Sequence, residues 1–150
     1  MKWITRERPK IDRIACPWLI DRFIEPGAEF LYVPASDVLK IAQETGATPY
    51  DIPGVALSHE ADLCSFDAFL KKYKLQQPAL KQLAEIVRGA DTSRLELTPQ
   101  SHGLYAISLG LSAVFKDDHQ MLQHGLVVYD ALYAWCCHCQ GETHNWPPTM

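Results

Sequence analysis

Strand-like runs are confined to the part of the chain before Ser58, and this limits the fold more than any other feature of the sequence. Trp3-Ile4-Thr5, Phe30-Leu31-Tyr32-Val33 and Val55-Ala56-Leu57 are aromatic or β-branched runs ended by proline, glycine or polar residues, so they read as three short strands. Between the first two, Asp12 to Ile24 is an amphipathic helical pattern with Asp12 as candidate N-cap; Pro17 marks its first turn or a kink. Between the second and third, Ser36 is placed to cap a helix from Asp37 to Thr45, with Gly46 in the left-handed position past its end. Beyond Ser58 the sequence reads as helix. Ser65 is placed to cap Phe66 to Tyr73, and Pro78 to Arg88 has proline at its start and Gly89 just past its end. Thr98-Pro99 opens a segment to about Phe115, and Asp117-Asp118 opens a last helix to about Cys139, with Gly125 as a candidate break. The expected class is α+β, a mostly helical single domain with a small three-stranded sheet near the N-terminus.

The 150 residues are 47% hydrophobic and 21% charged, the balance of one soluble globular domain. A chain of this length buries roughly 70% of the surface its unfolded form exposes, so the core needs neither disulfides nor a structural metal. A metal here would serve function. The net charge of −4 argues against broad binding to nucleic acid or to an anionic membrane. No apolar run approaches the ~20 residues of a membrane span, and no secretion-signal stretch opens the sequence, so a cytoplasmic location is expected. Three of the five cysteines crowd into Trp135-Cys136-Cys137-His138-Cys139, which cannot make a spread disulfide framework. Reduced thiols, most of them packing residues, are the expectation. Gly141 to Met150 contains two prolines and is expected to be a flexible tail after a domain spanning 1–140.

Three polar constellations have the composition of sites. The first is the basic opening, where Arg6 and Arg13 can converge on a helix N-terminus; guanidinium forks match tetrahedral oxyanions and carboxylates bidentately. Surface pairing of these arginines with Glu7, Asp12 and Asp21 is the alternative. The second is Ser58 to Asp67, with His59, Glu60, Asp62, Cys64 and Asp67 at a junction between an apolar run and a helix. A capping loop is the plainer reading of that stretch. The third is Lys116 to His124, where Asp118 and His119 are candidate metal ligands or an acid/base pair, and where one aspartate is equally an N-cap. His59, Asp91, Asp118 and His119 together form a nitrogen-and-oxygen ligand set for one divalent ion such as zinc, iron, manganese or nickel, although no named metal motif is matched. No nucleotide cofactor is indicated. Cys136 and Cys139 have the spacing of a zinc or redox pair but lack a second pair to complete it.

Several of these stretches, in order, resemble one known family. Trp3 to Arg6, Asp12 to Ile20, Gly46 to Gly54, Ser58-His59-Glu60 with Cys64 to Asp67, Ile86 to Asp91, Ser108 to Ser112, Asp117 to His119 and Val127 to Trp135 are similar to the chromate-resistance protein family. That family includes the carboxy-terminal domain of chromate-responsive transcriptional regulators of the ChrB type. The resemblance implies a part in resisting or sensing chromate, a tetrahedral dianion, and so agrees with Arg6, Arg13 and His59 as an oxyanion-binding group. It does not extend to the cysteine cluster, and it implies no direct nucleic-acid binding by these residues, because the region that precedes the domain in the regulators is not in this sequence. The readings carried forward are an oxyanion-binding response domain, a metal-dependent hydrolytic or redox enzyme, and a purely structural module. Four tryptophans and a hydrophobic last helix would also suit a homodimer.

Overall fold

The computed structural model describes residues 1–143. The elements run β1 (Lys2–Arg6), α1 (Asp12–Leu19), β2 (Glu29–Val33), α2 (Val38–Thr45), β3 (Thr48–Pro49), α3 (Ser65–Lys72), α4 (Pro78–Asp91), α5 (Pro99–Val114) and α6 (Asp118–Ala134). α1 and α6 each run on into a π-helical turn, Ile20–Ile24 and Trp135–Cys139. The α+β class stands: a small N-terminal sheet followed by helices. The expected tail beyond Thr143, including Trp146, lies outside the described residues.

β1 is the central strand of the order β2-β1-β3, and both pairings are parallel. Parallel neighbours need crossovers, which α1 and α2 supply. Alternation along β1 sends Trp3 into the large core with Trp18, Leu19 and Phe69, and Ile4 into a smaller one with Val38, Ala42, Ala47 and Ile52. α1 and α2 therefore cover opposite faces of the sheet.

Several local expectations are corrected. The third strand is Thr48–Pro49, paired with Trp3 and Ile4, and Val55 to Leu57 is loop. Pro49 lacks an N–H and so suits an edge strand, which ends there. Leu57 is buried as a loop anchor, its carbonyl accepting from the Asp51 amide at 2.8 Å. Asp12 is the first helical residue of α1 rather than its cap, and Ser65 likewise begins α3. The α3 cap is Cys64, whose amide donates to Asp67 at 3.0 Å in a capping box. Gly89 and Gly125 end nothing. A Cβ on Gly89 would overlap the Ser101 side chain, and one on Gly125 would stand 2.7 Å from Ile14 Cγ2, so both glycines mark helix crossings. Gly46, at φ 76, does close α2 as expected.

Candidate metal and anion site

In an open sheet with crossovers on both faces, ligands sit beyond the carboxyl ends of strands where the chain reverses its direction of progress. Here that point lies between β1 and β3. Arg6 is the last residue of β1, and Asp51 lies just past β3 at φ 52, a left-handed conformation that aspartate tolerates better than most residues. The loop from Asp51 returns across the same end carrying His59, while the start of α1 brings Asp12 and Arg13 and the end of α4 brings Asp91.

His59 Nε2 lies 2.8 Å from Asp91 Oδ2, 3.3 Å from Asp51 Oδ1 and 3.6 Å from Asp12 Oδ2. Half of the imidazole faces solvent, whereas Asp12 is fully buried and Asp51 nearly so. The deepest carboxylate is fixed by α3, since Asp12 accepts from the Ser65 amide at 2.6 Å and the Phe66 amide at 3.1 Å. Its charge thus stands at a helix N-terminus, where free amides favour an anion. Asp51 accepts from Ser65 Oγ at 2.7 Å and from Arg6 Nη2 at 3.4 Å, and pairs with Arg13 Nε at 3.5 Å. Arg13 also donates to the Arg6 and Glu7 carbonyls.

The electrostatics follow from this crowding. Hydrogen bonds to Asp51 and Asp91 push the His59 pKa up to about 10. Burial, then the charges of Asp91 and Asp51, hold the Asp12 carboxyl well above the usual carboxylate range. Burial, then the Arg6 charge, pulls Arg13 down. Burial and then Asp12 push the Cys16 and Cys64 thiols up, which keeps both protonated beside the site.

The donor set suits a cation. Asp12, His59 and Asp91 each offer one ligand atom, all within 4.8 Å of one another. Donors ~2.1 Å from a tetrahedral ion lie roughly 3.4 Å apart, and the 2.8 and 3.6 Å separations from His59 bracket that spacing. One imidazole with carboxylates is a mixture that zinc, manganese, iron and nickel accept. An open cleft of about 390 Å³, lined by Arg6, Asp51, Ile52, Pro53, Ser58 and His59, leads to the cluster.

Of the residues expected from sequence, Arg6, Arg13, His59 and Asp91 meet here. Asp118 and His119 fall outside the cluster. Asp118 accepts from the Arg8 amide and from Arg8 Nη1, both at 3.0 Å, and the His119 ring lies 5.6 Å from that of Tyr32. Asp67 is held by Arg88 at 3.0 and 2.8 Å, and the Glu60 backbone pairs with Leu63. Asp12 and Asp51 are the two carboxylates of the cluster that sequence reasoning did not place there. Asp12 has the sequence position of a cap, and Asp51 becomes visible only once β3 is set at Thr48–Pro49. Among the described residues all five cysteines are free, and the three near the C-terminus sit on the π-helical turn after α6.

The family described as ChrB, C-terminal domain, matches residues 3–136. Protein ChrB of Cupriavidus metallidurans is 31% identical over 133 residues, which cover 88% of this chain and 40% of that protein. No solved structure matches. Among the described residues no helix is long and apolar enough to cross a membrane.

Proposed function

The chain belongs to the ChrB C-terminal domain family, and on that premise we propose that it is a chromate-response domain whose working site holds one divalent metal ion on Asp12, His59 and Asp91. The observation that carries this reading is a single imidazole nitrogen facing three carboxylates within 3.6 Å. Three carboxylates repel a bare oxyanion from His59, and only the nearby arginines and a proton on the imidazole offset them. An ion would displace that proton and supply its positive charge at the same place. Asp51 would then stand at the edge of the shell, its Oδ1 held by the Ser65 hydroxyl and its Oδ2 by Arg6 and Arg13.

The oxyanion belongs beside this centre rather than on it. Arg6 lines the cleft with its side chain 39% exposed, so the solvent-facing part of the guanidinium is within reach of a tetrahedral dianion such as chromate or sulfate. Arg13 is spent on Asp51 and two carbonyls and acts as a brace.

Metal analysis of reduced, untagged protein, followed by titration with Zn²⁺, Mn²⁺, Fe²⁺ and Ni²⁺, tests the first part. About one equivalent bound, lost in His59→Ala and Asp91→Asn, is the expected result; absence of binding by all four ions overturns it. Thermal stabilisation by chromate and sulfate, measured with and without metal on wild type and Arg6→Ala, tests the second. Stabilisation that is stronger with metal and lost in Arg6→Ala is expected, and equal stabilisation of both proteins places the anion elsewhere.

A further inference from the structure

From Pro99 to Val114, α5 carries no Asp, Glu, Lys or Arg. Its buried stripe is narrow, consisting of Ser101, Leu104 and Ser108, and the Ser108 hydroxyl is turned back onto the Leu104 carbonyl at 2.7 Å. Apart from the exposed His102, the outward side is mostly apolar. Tyr105, Ile107, Leu109 and Val114 are 38, 49, 41 and 72% exposed, and Val127 of α6 adds another 62% exposed side chain. A helix whose exposed face is mostly apolar has a face suited to burial against a partner.

Two glycines sharpen the point. Gly103 and Gly110 are one heptad apart and share a face with Ile107 and Val114. Glycine is the least favourable residue inside a helix after proline, so each needs a packing reason. Gly89 and Gly125 have one, a neighbouring side chain standing where a Cβ would go. At Gly103 and Gly110 nothing among the described residues lies within 4 Å of an added Cβ. The close approach they permit is to something outside the described residues.

We propose that the Gly103–Ile107–Gly110–Val114 face of α5 is the contact between two copies of this chain related by a two-fold axis. Charge selects the second copy as occupant. Each copy carries −4, and among the helices α1 to α6 it is α5 that sets no Asp, Glu, Lys or Arg against its own counterpart. At a two-fold interface the same patch serves both sides, and residues near the axis meet their own counterparts. A charge-free helix satisfies that condition, whereas recognition of a different protein draws on complementary charges that α5 does not offer. The glycines then let the two backbones close on each other, with Ile107 and Val114 filling the space between.

Sedimentation equilibrium on the full chain tests this at micromolar concentrations. Wild type is expected at twice 16.9 kDa. Ile107→Glu sets a carboxylate against its own copy, and Gly110→Leu fills the groove while favouring helix; each should weaken self-association by about 100-fold or more, with circular dichroism and melting behaviour retained. If the glutamate variant fails to fold, the leucine variant decides. A monomeric wild type, or either variant folded and dimerising with wild-type affinity, overturns the proposal.

Discussion

The basic opening of the chain feeds two arginine–aspartate assemblies that differ in how far their charges are matched. At the junction of α5 and α6, the Arg8 guanidinium donates to the carbonyls of Ser112, Phe115 and Lys116 at 2.7, 2.9 and 2.7 Å and to Asp118 at 3.0 Å. One cation meets one carboxylate, and the remaining N–H groups are absorbed by backbone oxygens that a helix end would otherwise leave open. At the end of the sheet, by contrast, Asp12, Asp51 and Asp91 face Arg6, Arg13 and a histidine that is positive only when protonated. The first assembly is closed and structural. The second lacks a full positive charge whenever His59 is neutral, and its half-exposed member opens on a cleft.

The largest effect expected from breaking this comparison is at Asp12. Asp12→Ala removes the acceptor for two α3 amides, and the loss should be about 2–4 kcal/mol in urea unfolding, together with loss of metal binding. Asp12→Asn retains an acceptor oxygen and should cost about half as much. Next is His59→Ala, which should weaken metal binding by more than the ~10–100-fold that loss of an outer-shell partner costs, measured by competition with a chelator, while Asp118→Ala leaves affinity unchanged. Parity between these two variants would erase the distinction between the assemblies. Arg8→Ala should then destabilise by about 2 kcal/mol without altering metal affinity, because it uncovers carbonyls far from the ligands.

The smallest effect is the pH dependence. The His59 pKa is raised from 6.5 to about 10, so its contribution to stability is fully present below 6.5 and is lost as pH rises through about 10. Asp12, also raised, acts in the same direction, its share fading as pH climbs through its elevated value. Unfolding free energy of the metal-free protein should therefore fall from pH 6.5 toward 10, and saturating Zn²⁺ should flatten the slope. In weakly buffered solution near neutrality, metal binding should release protons, and a titration without proton release would contradict the placement of His59 among the ligands.

Much of the fold was legible because local chemistry and tertiary structure agree there. Pro99 after Thr98, and Asp117 before α6, are caps that act within three residues, with Thr98 accepting from the Ser101 amide at 3.0 Å and Asp117 from the Gln120 amide at 2.9 Å. The failures share a cause in contacts distant along the chain. Val55 to Leu57 is apolar because Leu57 anchors a loop in the core, and Gly89 and Gly125 are glycines because another helix crosses there. At the site, Arg6, Arg13, His59 and Asp91 were visible as polar residues at the ends of elements. Asp12 was disguised, since a carboxylate at a helix start usually serves its own helix, and here it serves α3 instead. Asp118 and His119 show the converse, an attractive pair of which Arg8 already holds Asp118 while His119 packs edge-on against Tyr32.

That cross-capping also gives the molecule a built-in gauge. Ser65 donates to Asp12 across 53 positions of sequence, so its amide is shielded only while α1 stays seated against α3. Hydrogen exchange at Ser65 and Phe66 reports that seating directly, and any ion drawn to Asp12 slows it by the factor through which bound cation suppresses opening. Two amides read by mass spectrometry would thus measure site occupancy without a chromophore or an assay of turnover.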